Sequence, residues 1–217
     1  MVLRLAEAVP LREQGALLVA AGFAPVHPER APDDPEGAAA RRAVEAILRG
    51  HEPFPALAID RHWTLLRANG AVAPLLAGAD EALLRPPVNV LRLGLHPRGL
   101  GPRIVNLREW RAHLLGRLAR QIDASADPAL MALRDEIAGY PLPLGAPPRR
   151  ADERPAFGDL AVPLRLATEE GILSLISATT VFGAPLDVGL SELAVESFFP
   201  ADDATADLLL GRRAGGR

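Results

Sequence analysis

The chain has 217 residues, 49% of them hydrophobic, 24% charged and only 4% aromatic. That length buries about 70% of the unfolded surface, and the balance is that of a globular chain whose core is built from Leu, Val, Ile and Ala. A net charge of −3 argues against a phosphate-gripping surface. The absence of cysteine excludes disulfides, thiolate metal sites and a cysteine nucleophile.

No apolar run approaches the ~20 residues of a membrane span. Met1–Arg4 is not followed by the apolar stretch of a signal peptide, so the cytoplasm is the expected compartment. Within Val2–Ala21, Leu3, Leu5, Ala8 and Leu11, then Leu17, Leu18 and Ala21, suit two short helices broken at Val9-Pro10 and stopped by Gly22. Phe23–Gly37 reads as an irregular arm. Ala38–Arg49 follows as a helix with Val44, Ile47 and Leu48 on one face.

From Pro55 the period changes. Ala56–Asp60 and Trp63–Ala68 suggest a β-hairpin around Asp60-Arg61-His62. Ala71–Leu76 reads as one or two helical turns capped by Asn69, and Val88–Leu95 as a short helix after Pro86-Pro87. Ile104–Ser125 is the strongest helical signal, with Trp110, Leu114, Leu118 and Ile122 on one stripe. Pro128–Tyr140 repeats it with Leu130, Leu133 and Ile137, and Pro141–Pro155 is a Pro-rich loop.

The final third reads as β structure. Leu160, Val162, Leu164 and Leu166 alternate, Glu169-Glu170-Gly171 turns, and Ile172–Phe182 and Leu193–Phe199 supply two more strands. Pro163 demotes the first of these to a sheet edge, because proline cannot donate to the ladder. Pro200–Leu210 closes as a helix before a tail at Gly211–Arg217. Two strands early and three late, with helices between, is the order of a PAS-like sheet. The expected fold is therefore α+β: a PAS-like five-stranded antiparallel sheet with helices on one face, preceded by N-terminal helices. This is a fold-level analogy and carries no function by itself.

Catalytic and metal signatures are absent. Gly94, Gly99 and Gly101 fit no phosphate-binding loop, and no GxSxG or HExxH occurs. The histidines at 27, 51, 62, 96 and 113 do not cluster at ligand spacing. Glu109 and His113 share a helix face, for which an ion pair or a solvated face is the plainer account. The acid pairs Asp33-Asp34, Glu169-Glu170 and Asp202-Asp203 sit at turns or helix starts. No cofactor, no metal and no enzymatic activity are expected. The stripe of Trp110, Leu114 and Leu118 is plain core on the simplest account. On the alternative it walls a pocket whose mouth Arg111, His113 and Arg117 can reach.

The residues from Pro53 onward resemble the ligand-binding domain of the MmyB-like transcription regulators. The resemblance lies in Pro55-Ala-Leu-Ala-Ile-Asp60-Arg-His-Trp63, Asn69, Val88-Asn-Val-Leu-Arg-Leu-Gly-Leu-His96-Pro97, Ile104-Val-Asn106-Leu-Arg-Glu-Trp110 and Glu196-Ser-Phe-Phe-Pro-Ala-Asp202. It implies a PAS-like domain that holds a fatty-acid-like molecule between sheet and helices. Met1–Glu13 also resembles the last helix of an Xre-type helix-turn-helix domain, and Ala16–Pro25 its connector. The expected division is a helix-turn-helix remnant and connector over 1–22, linker and helix over 23–50, the ligand-binding domain over 51–210 and a tail over 211–217. In the family the DNA-reading helices precede this point, so DNA is an expected partner only through them, and no specific shift of promoter DNA is expected from this chain.

The pocket that this implies has Leu91, Leu95, Trp110, Leu114 and Leu118 on its helical side and Ile176, Thr180 and Phe182 on the sheet. Arg111 or His113 would meet a carboxylate, since a partly buried charge must be paired. Asn69 and Asn106 are expected to cap helices, and His96 to bond the backbone of its loop. The expected partner is a small apolar ligand such as a fatty acid, with a homodimer open. The alternative is a ligand-free PAS-like interaction module; a small enzyme comes last.

Overall fold

Apolar alternation after residue 55 builds an antiparallel sheet of five strands. The computed structural model describes residues 35–142, 161–181 and 193–211. The helices expected within 1–22, the arm up to residue 34, the acid pair Asp33-Asp34, His27, most of the loop after Pro141, Leu160, Phe182 and the tail beyond residue 211 lie outside the described residues.

The elements in chain order are α1 (Pro35–Gly50), β1 (Ala56–Ile59), β2 (Leu65–Ala68), a 3-10 turn (Ala73–Leu76), α2 (Glu81–Leu84) and α3 (Val90–Leu95). A second 3-10 turn (Gly101–Arg103) leads to α4 (Leu107–Ser125) and α5 (Pro128–Ala138), then β3 (Leu164–Thr168), β4 (Gly171–Val181), β5 (Ala194–Pro200) and α6 (Asp203–Leu209). The sheet order is β2-β1-β5-β4-β3, with every neighbouring pair antiparallel. This is the expected α+β, PAS-like arrangement. β3 begins directly after Pro163 and lies at the sheet edge, where a residue without an N–H costs no ladder bond.

Side-chain caps set the helix boundaries. Asn89 accepts from the N–H groups of Leu91 and Arg92 and starts α3 two residues later than the Val88 expected. Asp127 accepts from Ala129 N–H with Pro128 at the first helical position, which starts α5. Ala126, at φ 50°, turns the chain sharply between α4 and α5. Asp202 accepts from Thr205 N–H and caps α6. Ile104, expected in the long helix, instead makes an isolated bridge to Leu166 on β3.

Two apolar clusters lie on opposite faces of the sheet. The larger joins Leu91, Leu95, Trp110, Leu114, Leu118 and Ile122 to Ile59, Leu164, Leu166, Leu173 and Leu175. The smaller packs Val44 and Leu48 of α1 on Ala56, Ala58 and Val195. Period two explains the division, because in β1 and β5 neighbouring residues face opposite sides. α1 thus covers the outer face while α3, α4 and α5 cover the inner one. Among the described residues no helix is long and apolar enough to cross a membrane.

Candidate functional site

Between the inner face of the sheet and helices α3 and α4 lies a cavity of about 120 Å³. Leu91 and Leu93 of α3, Trp110 and Leu114 of α4, and Leu166, Leu175 and Phe198 of the sheet form much of its wall. Its scale is that of the ~150 Å³ engineered apolar cavity that stays dry and admits benzene. The chain contains 2 tryptophans, Trp63 and Trp110, and both line it.

Trp63 sits in an unusual backbone conformation. Its φ of 65° is left-handed, a genuine outlier for so bulky a residue. The turn around it compensates: Asp60 Oδ1 accepts from the N–H groups of His62 and Thr64, and Asp60 O accepts from Trp63 N–H. The indole N–H donates to Gln121 Oε1 at 2.9 Å, which holds the ring beneath α4. Such strain persists only where the surroundings over-determine it.

The polar end of the cavity is built on Arg117 and Glu196. Glu196 is 4% exposed and faces inward from the central strand β5. Arg117 donates to its two oxygens at 2.5 and 3.3 Å, and the Thr179 hydroxyl donates to Oε1 at 2.7 Å. Arg117 also donates to Thr179 Oγ at 2.9 Å and lies 4.8 Å above the Trp63 ring. Thr179 stands directly across the ladder from Glu196, so register brings the cluster together. Ser177, on the same face of β4, completes the polar lining.

The structure brings together Leu91, Trp110 and Leu114 of the residues singled out from the sequence. Leu118 is fully buried behind the cavity wall. Leu95 lines a separate pocket with Leu107 and Leu142. Ile176 and Thr180 lie on the opposite sheet face, because Leu175, Ser177 and Thr179 hold the inward phase of β4. Phe182 is outside the described residues. Arg111 donates to the carbonyl of Tyr140, away from the cavity. His113 stacks on Trp110 at 5.4 Å between centroids; burial first, then Arg117 and Arg120, push its imidazole below the usual histidine range.

Two expected caps serve another purpose. Asn69 is buried and accepts from Ala56 N–H while donating to the carbonyls of Leu48 and Phe54, so it joins α1 to the hairpin. Asn106 stands at the start of α4, yet its amide accepts from Arg165 N–H and donates to Pro163 O, tying α4 to β3. His96 does bond its loop, accepting from Arg98 N–H. Glu109 meets Asn106 at 3.3 Å, and among the described residues no cluster of three or more possible metal ligands occurs.

Trp63, Ser177, Glu196 and Phe198 were not among the expected lining residues. Glu196 carries a visible signal, a charge in the middle of an apolar strand. Arg117 carries another, three residues after Leu114 and seven after Trp110, on the buried stripe.

The model of the MmyB-like transcription regulator ligand binding domain matches residues 40–210. Its match begins inside α1, consistent with the packing of Val44 and Leu48 on the sheet. No curated protein matches the chain. With the family model covering most of the sequence and the sheet order following that of a PAS-like domain, the chain belongs to the family of MmyB-like transcription regulator ligand-binding domains.

Proposed function

We propose that this ligand-sensing domain serves an Xre-type regulator in the cytoplasm and that its cavity holds a small apolar molecule with a fatty-acid-like chain. The observation that carries the reading is an apolar cavity of about 120 Å³ whose charged side chains, Arg117 and Glu196, are paired with each other. A guest that covers these apolar walls gains the free energy of removing them from water, which favours a binding role over a packing defect. A binding role is also favoured over catalysis, because Glu196 is held by Arg117 and Thr179 rather than aimed at a substrate position beside a second titratable group.

β5 is suited to report occupancy. Glu196 and Phe198 face the cavity, while Val195 packs under α1 from the other side of the same strand. His51, just after α1, donates from Nε2 to the Phe198 carbonyl at 2.8 Å. A ligand that prefers one setting of β5 shifts the population of α1 positions, and through them any DNA-reading helices attached to it. Native mass spectrometry of the purified chain, before and after organic extraction, tests the reading. A small apolar adduct that leaves on extraction is expected. A chain that carries none, and takes up none from a panel of short fatty acids, alcohols and esters, refutes it.

A second reading has its own observation. Ile172 and Phe199 on the outer sheet face are 45% and 43% exposed, which suits pairing of two copies there. Sedimentation of the wild type against Phe199→Glu distinguishes the cases: a dimer that the substitution splits supports it, and a monomer refutes it.

A further inference from the structure

We infer that the cavity selects ligands with an uncharged, hydrogen-bonding head group, with Ser177 as their partner and Glu196 as the group that turns carboxylates away. The inference rests on the apolar-ligand reading above and names the chemistry of the ligand's polar end.

Arg117 is the one cation lining the cavity among the described residues, and its charge is already matched. Both Glu196 oxygens take its N–H groups, and the Thr179 hydroxyl closes the set by accepting from Arg117 and donating to Glu196. The Arg117–Glu196 pair is neutral and largely withdrawn from water, with side-chain exposures of 19% and 6%, while Thr179 at its outer side is exposed. A carboxylate entering here brings a second negative charge beside Glu196 and finds no free cation. Poorly paired charge in such surroundings is costly.

Ser177 is different. It lines the same end of the cavity, on the same face of β4 as Thr179 and directly across the ladder from Phe198. Its hydroxyl makes no side-chain hydrogen bond to any described residue. A hydroxyl can both donate and accept, so it suits an alcohol, a ketone, a lactone or an amide alike. Arg111 and His113, the other groups that could meet a carboxylate, are turned to the Tyr140 carbonyl and the Trp110 ring. The fitting ligand class is thus an apolar body carrying one neutral polar group.

Both tryptophans line the cavity, so intrinsic fluorescence of the full chain reads occupancy directly. Titration with 1-octanol and with octanoate at pH 7.5, where the acid is ionised, is expected to give at least tenfold tighter binding of the alcohol. Glu196→Gln keeps an acceptor for Arg117 and removes the negative charge. It is expected to strengthen octanoate at least tenfold relative to octanol. Ser177→Ala, which disturbs no described hydrogen bond, is expected to weaken octanol about fivefold, the scale of one hydrogen bond. Octanoate binding as tightly as octanol to the wild type overturns the head-group inference and leaves the cavity reading standing. Saturable binding of neither overturns the cavity reading itself. Unchanged octanol affinity in Ser177→Ala removes Ser177 from the site even where the Glu196 variant fails to fold.

Discussion

Replacing Gly94 with alanine is expected to stabilise the protein and weaken its uptake of ligand. Gly94 lies in the last turn of α3 and lines the cavity, and a Cβ added there meets nothing within 4 Å. Removing a helical glycine gains about 0.5–1 kcal/mol, and a methyl standing in open space adds no packing to it. That gain raises Tm by about 1–4 °C at the ~2–4 °C per kcal/mol of a domain this size. Calorimetry of the apo protein gives the first number, and fluorescence titration with 1-octanol gives the second, expected to weaken because the methyl occupies ligand space. Gly94→Leu extends the effect to a complete block. Gly99→Ala is the contrast, since its Cβ would stand 2.1 Å from the Leu93 carbonyl oxygen and must displace backbone. A lower Tm for Gly94→Ala, or octanol binding unchanged in Gly94→Leu, refutes the idea that this helix face opens on a ligand site.

Three further predictions follow from the same geometry. Arg117→Leu leaves Glu196 buried without its cation and is expected to cost about 3 kcal/mol in urea unfolding. The double change Arg117→Leu/Glu196→Leu recovers at least half of that, and a single-variant cost below about 1 kcal/mol contradicts the assignment. Asn69→Ala removes the partner of Ala56 N–H, Leu48 O and Phe54 O at a buried site and is expected to cost about 3 kcal/mol by the same assay, with a loss under about 1 kcal/mol as the contrary result. His113 is held below its unfolded pKa, so the unfolded chain takes up its proton first as pH falls. Its stabilising contribution is full above about pH 6.5 and declines below that. The slope of stability against pH just below 6.5 should flatten in His113→Phe, and an unchanged slope there rules His113 out as its source.

Much of the fold is legible because one signal dominates each element. The stripe from Trp110 to Ile122 could only be a helix with one buried face, and Pro163 could only tolerate a strand edge. Strand phase was harder to read. Around β4, Ile172, Leu173, Leu175 and Ile176 place apolar residues in both phases, so the choice of Ile176 and Thr180 for the inward face had an equal rival. Cross-strand register decides it, because Ser177 opposes Phe198 and Thr179 opposes Glu196. Register depends on partners far along the chain, which local spacing does not encode. The same holds for Asn69 and Asn106, whose positions resemble caps but whose partners include Leu48 and Pro163. Arg117 and Glu196 were visible singly as charges on apolar faces, and only the fold pairs them.

The most direct test of the cavity as a ligand site is a set of intermolecular nuclear Overhauser effects between bound 1-octanol and leucine methyl groups. Leu91, Leu114 and Leu166 line the cavity, whereas Leu95 and Leu118 are equally buried but do not. Octanol is expected to contact the first three and neither of the other two. Contacts to Leu95 or Leu118 instead, or none to any of the five at saturating octanol, would contradict it.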